Sequence, residues 1–265
     1  MKCLLWQRDF GVSFMNIKYK SVVLKFGGSV ISDTAAVGRV ANVIKQVSDV
    51  YDIRAVVVSA MGKTTNNLDA MAHNIAVRPD ARELDALLAT GEMQSAALVA
   101  MRLDAIGVPA RSYNAVQFGI QTDDNFGAAN IQQITMEHVN RLYGIPVVAG
   151  FQGVTKYGDI TTLGREGSDI SAVIVAAACS ADFCWFFKNG GGICDKNPNK
   201  EAGGEMFQKI SYTRMRDLMT DGRGQVLHKR SIDLAKKYQI PLYVSGIDDF
   251  NNGTWILPRV HAKLR

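Results

Sequence analysis

Short apolar runs rich in β-branched residues alternate along the chain with longer stretches where apolar residues recur every three or four positions. Ser21-Val22-Val23-Leu24-Lys25-Phe26 reads as a buried strand that ends at Gly27-Gly28. Residues 37–50 carry Val40, Val43, Ile44 and Val47 at helical spacing. Residues 55–59 form a second strand, running into a turn with Gly62. A long helical stretch covers 83–106, with a break expected near Gly91. Further strands are predicted at 109–113, 146–151 and 181–187, a helix at 169–179, helices at 215–219 and 231–238, and closing strands at 242–245 and 254–257. Strands alternating with helices of this length argue for a mostly parallel sheet covered on both faces. The fold class expected is α/β, a three-layer αβα sandwich with a mostly parallel central sheet. No repeat, low-complexity tract or linker divides the chain.

Composition narrows the class without choosing a function. Of 265 residues 47% are hydrophobic and 21% charged, which is ordinary for a globular protein and excludes disorder, collagen and coiled coil. Gly is frequent at 24 and Pro scarce at 6, which suits functional loops better than a Pro-rich linker. The net charge is 30 − 25 = +5, but the basic residues are dispersed. The densest group, Arg259, His261, Lys263 and Arg265, has no aromatic platform beside it, which argues against nucleic acid; a mild positive excess fits an anionic small molecule equally well and by itself decides nothing. Cys3, Cys179, Cys184 and Cys194 show no CxxC spacing, so no zinc site or other bound metal is expected, and they read as reduced thiols of a cytoplasmic protein. Gln7, Arg8 and Asp9 interrupt the apolar start before a signal-peptide core can form, and no run is long enough to span a membrane. Residues ahead of Met15 read as an upstream tail, and the Asn252-Gly253-Thr254 sequon as incidental.

Three glycine-bearing loops follow predicted strands, where open α/β sheets bind ligands. In Lys25-Phe26-Gly27-Gly28-Ser29, a Lys at the end of a buried strand is costly unless its ammonium meets a wet or anionic site. The two glycines let backbone N–H groups approach phosphate oxygens; a plain turn with an exposed Lys is the alternative. In Ser59-Ala60-Met61-Gly62-Lys63-Thr64-Thr65-Asn66-Asn67, the Gly-Lys-Thr is no Walker A motif, because that motif needs a glycine where Val57 stands. Its hydroxyls and amides suit a small polar substrate, or equally a helix start. In Thr161-Thr162-Leu163-Gly164-Arg165-Glu166-Gly167-Ser168-Asp169, Arg165 offers a fork for a carboxylate, and Ser168 and Asp169 lie at a helix N-terminus.

Taken in order with Thr90-Gly91-Glu92 and Gly150-Phe151-Gln152-Gly153, these motifs resemble the catalytic domain of the aspartokinases, in the amino acid kinase superfamily. Ile210-Ser211-Tyr212, Val226-Leu227-His228 and Gly253-Thr254 extend the resemblance, which covers about residues 20–257. It implies ATP-dependent phosphorylation of the side-chain carboxylate of L-aspartate to 4-phospho-L-aspartate, an entry step to lysine and related amino acids, with Mg2+ arriving on ATP. By resemblance, Lys25 would neutralise the transferring phosphoryl group while Gly27, Gly28 and Ser29 line the phosphates. Thr65 would bind aspartate, Glu92 its ammonium and Arg165 its α-carboxylate. Ser168 and Phe151 would complete the substrate pocket, and Asp169 the catalytic pair with Lys25. Lys188, Asn189 and Gln225 would serve the nucleotide. Glu92 could also be an exposed helix charge, Phe151 a core residue, and His228 reads as structural.

The departures from the family pattern lie mostly in the nucleotide half. Asn189 stands where the family usually has Asp, and Asn197-Pro198 where it has Asp-Pro. Residues 222–228 carry one extra residue and Gln225 for Lys, Lys229 replaces Pro, and Ser29 supplies one hydroxyl in a shortened loop. Two lobes are expected, about 20–180 for the amino acid and phosphoryl group and 181–265 for the nucleotide, after an extension at 1–19. With Arg265 eight residues beyond the last predicted strand, no regulatory domain and no built-in end-product feedback are expected. A homodimer is the expected assembly. The alternatives are a catalytically weakened binding or regulatory subunit, or a relative acting on another carboxylate, a carbamate or a nucleoside monophosphate.

Overall fold

Every residue of the strand β1 (Ser21–Phe26) is buried. Successive side chains on a strand point to opposite faces, so Val22, Leu24 and Phe26 join one core cluster and Val23 the other, with Lys25 on the same side as Val23. The computed structural model describes residues 19–135, 143–196, 204–221 and 226–259. β1 lies at the centre of a sheet with β2 (Asp52–Val58), β3 (Ala110–Tyr113), β6 (Ile145–Ala149), β9 (Phe183–Phe187), β10 (Lys209–Ser211), β11 (Leu242–Ser245) and β12 (Gly253–Leu257). The order is β10-β12-β11-β9-β1-β2-β6-β3. Every pairing is parallel except β11 with β12. A smaller sheet, β5-β4-β7-β8, is made from β4 (Ile120–Thr122), β5 (Ile131–Ile134), β7 (Gln152–Val154) and β8 (Ile160–Thr162).

Helices cover both faces of the large sheet, as the alternation of strands and helices predicts. α1 (Thr34–Ser48) starts at Asp33, whose carboxylate accepts a hydrogen bond from the Ala36 N–H at 2.8 Å. Its Val37, Val40, Ile44 and Val47 recur at helical spacing and meet Val22, Leu24 and Phe26, joined by Ala96, Val99 and Leu103 of α3 (Ala81–Ala105). On the other face α5 (Gly167–Ala178), α6 (Tyr212–Thr220) and α7 (Lys229–Tyr238) pack Val173, Met215, Leu218 and Ile232 against Val23, Val57 and Phe186. α5 begins at Gly167, two residues before the predicted start. No helix among the described residues is long and apolar enough to cross a membrane.

Three features depart from the pattern reading. α2 (Thr64–Ile75) is a helix where only a polar loop or a helix start is legible; none of its residues is buried, and its apolar positions Leu68, Met71, Ala72 and Ile75, though at helical spacing, are not covered by the core. The small sheet escapes because its strands are three or four residues long and rich in Gln and Thr. The third is Gly91, which does not break α3: the helix runs unbroken through it, and a Cβ there would lie 2.9 Å from the Ala60 Cβ and 3.3 Å from the Thr64 Cγ2. The glycine admits the neighbouring loop and α2.

That geometry predicts the sign of Gly91→Ala. Helix propensity alone favours Ala by about 1 kcal/mol. The contact with Ala60 opposes it and has little room to relax, so the variant is expected to have a lower midpoint of thermal denaturation than the parent. An unchanged or raised midpoint would show that the approach of Ala60 is not what requires glycine.

Candidate active site

The strand β1 delivers Lys25 to the carboxyl end of the central sheet, beside Val57 of β2 and Phe186 of β9. Lys25 is 2% exposed, and its Nζ lies 2.5 Å from Oδ1 of Asp169, itself 1% exposed in the first turn of α5. Lys188, just after β9, donates from its Nζ to Oδ2 of the same carboxylate at 2.8 Å and to Oδ1 at 3.2 Å. Burial alone would raise the Asp169 carboxyl, but Lys25 and Lys188 outweigh it and hold it below the ordinary carboxylate range. Burial pulls Lys25 below its usual value, helped by Lys188 and resisted by Asp169. Two ammonium groups on one carboxylate leave an excess of positive charge that suits a phosphoryl group.

Around this trio the loops are stitched to one another. After Phe26 the chain turns, with Val30 and Ile31 donating to the Gly27 carbonyl at 2.9 and 3.0 Å. Gly62 N–H donates to the Gly28 carbonyl at 3.0 Å, joining the first glycine loop to the second. A Cβ on Gly28 would lie 2.5 Å from the Ala60 oxygen, so only glycine fits. Asn189 donates from Nδ2 to the Ser29 carbonyl at 3.2 Å, so the loop after β9 is tied to the same turn. Ser59, at the end of β2, exchanges a hydrogen bond with Ser168 Oγ at 2.7 Å.

A cavity of about 380 Å3 opens beside this turn and is lined by Thr65, Glu92, Phe151, Arg165 and Ser168. These are the residues the motifs assign to the amino acid, drawn from α2, α3, the turn after β6, the loop after β8 and the start of α5. Glu92 is 4% exposed; its Oε1 accepts from the Ala60 N–H at 2.9 Å, while Oε2 has no partner among the described residues. Burial pushes its carboxyl up to about 7, against the Ala60 hydrogen bond and the charge of Lys25. An ionised Glu92 therefore calls for a further positive charge beside Oε2, an oxygen closed off from water in this structure. Arg165 is exposed on the opposite loop. Phe151 stands at φ +68° and Glu166 at +53°, conformations that non-glycine residues adopt rarely and that concentrate at functional sites.

His228 serves structure, accepting at Nδ1 from the Arg230 N–H at the start of α7. Gln225, Asn197 and the rest of 222–225 and 197–203 lie outside the described residues, as do the tail at 1–18 and the basic group from His261 onward. Sequence reading missed Asp85, which lines the same cavity and is 1% exposed. Its position seven residues before Glu92, on one face of α3, was the available signal.

Over most of its length the chain is similar to known proteins. Residues 20–246 match the amino acid kinase family. An aspartokinase of Geobacillus stearothermophilus is 41% identical over 243 residues, and one of Thermus thermophilus 38% over 238, covering 90% and 89% of this chain. The chain spans 59% and 58% of those relatives' lengths. The crystal structure of an aspartate kinase from Synechocystis superposes with a TM-score of 0.80 at 36% identity, over 92% of this chain and 40% of that one. On the match across residues 20–246, the chain belongs to the amino acid kinase family.

Proposed function

We propose that this chain transfers the γ-phosphoryl group of ATP to the side-chain carboxylate of L-aspartate. The observation that carries the reading is the pairing of Glu92 and Arg165 across one cavity. Opposite charges so placed suit the ammonium and α-carboxylate of an amino acid, and leave its side chain free to face Lys25. The relatives from G. stearothermophilus and T. thermophilus, both aspartokinases, support aspartate as that amino acid.

In this reading an oxygen of the aspartate side chain attacks the γ-phosphorus, the bond from phosphorus to the bridging oxygen breaks, and ADP leaves with that electron pair. The nucleophile is already an anion and needs no general base, so positioning and charge stabilisation supply the rate. Lys25 faces the transferring group. Asp169, held ionised by two lysines, orients Lys25 and Lys188 and takes no proton. In this reading the turn at Gly27, Gly28 and Ser29 faces the phosphate oxygens, and Asn189 steadies that turn. Among the described residues no cluster of His, Cys, Asp or Glu could hold a metal ion. The Mg2+ of this reading is accordingly carried by the phosphates of ATP and by water.

The test is ATP-dependent hydroxamate formation with L-aspartate, run beside glutamate and buffer. Aspartate-dependent product is expected; none under saturating MgATP, with aspartate binding intact by calorimetry, would favour the binding-subunit alternative and overturn the kinase. Lys25→Ala is expected to lower kcat by about 10²–10³-fold, as loss of one charge-stabilising donor does. Arg165→Ala should instead raise the KM for aspartate by about 10–100-fold, the worth of one charge-assisted fork. Full turnover in the Lys25 variant would remove the mechanism.

Glu92 gives a pH signature. Its carboxyl titrates at about 7, so it is protonated below that pH and must lose a proton to hold an ammonium. The KM for aspartate is therefore expected to fall as pH rises through 7 and to level off above. Glu92→Gln should raise the KM and flatten this profile; a profile that kept its shape in the variant would assign the titration to another group.

A further inference from the structure

Arg165 sits on a loop that is gripped from two sides by side chains outside the lysine trio. On one side is Asp85 of α3. Its Oδ2 accepts from the Gly127 N–H at 2.8 Å and the Thr162 N–H at 2.7 Å, and its Oδ1 accepts from Thr162 Oγ1 at 2.7 Å. Burying a carboxylate without a cation is expensive. Three short charge-assisted bonds offset that cost, and they join α3 to the end of β8 and to the turn at Gly127. On the other side is Arg230, the second residue of α7. It donates from Nη1 to the Leu163 carbonyl at 3.0 Å, and from Nη2 to Asn130 Oδ1 at 3.2 Å and the Ala129 carbonyl at 3.5 Å. The Leu163 N–H donates in turn to the Phe151 carbonyl at 2.8 Å.

Between these anchors the backbone passes through positive φ at Gly164 (+79°) and Glu166 (+53°). Backbone held in such conformations persists only where its surroundings over-determine it. Asp85 and Glu92 lie on one face of one helix, so an anchor from Asp85 to Thr162 ties the loop of Arg165 to the helix that carries Glu92. Arg230 ties the same loop to a helix whose sequence follows residues 222–228, in the half assigned to the nucleotide.

We propose that Asp85 and Arg230 are positioning residues, a two-sided clamp that sets the spacing between Arg165 and Glu92 and so the fit of the amino acid. This rests on the amino acid pocket proposed above. The clamp acts through the backbone of Thr162 and Leu163 and through the Gly127 turn, and needs no contact with substrate. The role of Asp85 is geometric: an Asn there can accept from both N–H groups through its oxygen and donate from its NH2 to a reoriented Thr162 hydroxyl.

The test compares Asp85→Ala, Asp85→Asn, Arg230→Met and Arg230→Lys in the full chain by steady-state kinetics, thermal denaturation and hydrogen exchange of the peptide spanning residues 160–170. Asp85→Ala and Arg230→Met are expected to raise the KM for aspartate about tenfold or more, as small displacements of positioning groups do, with the KM for ATP within about twofold. Exchange in 160–170 should quicken in both. Asp85→Asn should stay near the parent in KM and exchange, and Arg230→Lys should fall between. Unchanged exchange and unchanged KM in the Ala and Met variants would overturn the clamp. So would a parallel rise in both KM values with a lowered denaturation midpoint, which marks general loosening. An Asp85→Asn variant as impaired as Asp85→Ala would show that charge, and not position, is what Asp85 supplies. If the parent chain proves to lack aspartate turnover, the proposed function fails, while the exchange comparison still decides the clamp.

Discussion

A lysine buried at the end of the central strand is the constraint around which the rest of the molecule is arranged. An ammonium removed from water at 2% exposure must be met by opposite charge. Asp169 meets it from the first turn of α5, a position where the helix N-terminus also favours a carboxylate. Lys188 then over-compensates Asp169, so the group as a whole carries an unspent positive charge. The sheet places Lys25 and Lys188 on adjacent parallel strands or just beyond them, and α5 crosses over to bring the carboxylate. The trio is consequently a product of the sheet order as much as of the residues.

Close approach of backbones is the second organising demand. Gly28 admits the Ala60 carbonyl, Gly91 admits the Ala60 side chain, and the Gly62 N–H closes the contact to Gly28. Ala60 thus lies where three segments meet, and its N–H is also the partner of Glu92 Oε1. The frequent glycine of the composition has a specific use at these points: it brings the turn at Gly27–Gly28 and the cavity beside Glu92 to a shared wall. The raised carboxyl of Glu92 follows from the same enclosure, because the loops that shape the cavity also take water away from it.

The small sheet is the scaffold of the cavity that Phe151 and Arg165 line. β7 and β8 flank the turn at Phe151 and the loop of Arg165, and Gly153 lets β4 and β7 approach where a Cβ would come within 2.2 Å of the Thr122 methyl. Buried polar groups hold these parts in place: Thr122 with Thr161 at 2.6 Å, and Gln152, which accepts from the Ala115 N–H and donates to the Ala89 carbonyl. Buried polar networks of this kind specify one arrangement when every member is satisfied. The two sheets thus differ in kind, the large one packed by apolar clusters and the small one tied by buried polar bonds.

By itself the amino-acid sequence determined the layers. A strand apolar from Val22 to Phe26 but for Lys25, an amphipathic α1 and the alternation of strands with helices declare an αβα sandwich, because burial of a face imposes a period that a sequence must carry. The glycine loops, Glu92, Arg165 and Asp169 were legible as candidates from residue type and order. What only the tertiary structure decided are the extent of α2 beyond its polar start, the short strands of the small sheet, and every pairing between distant residues. Lys25 finds Asp169, Asp85 finds Thr162 and Arg230 finds Leu163 across large separations in the chain. Such bonds leave no local period, since each joins a solitary polar side chain to a side chain or backbone group that the path of the chain places beside it.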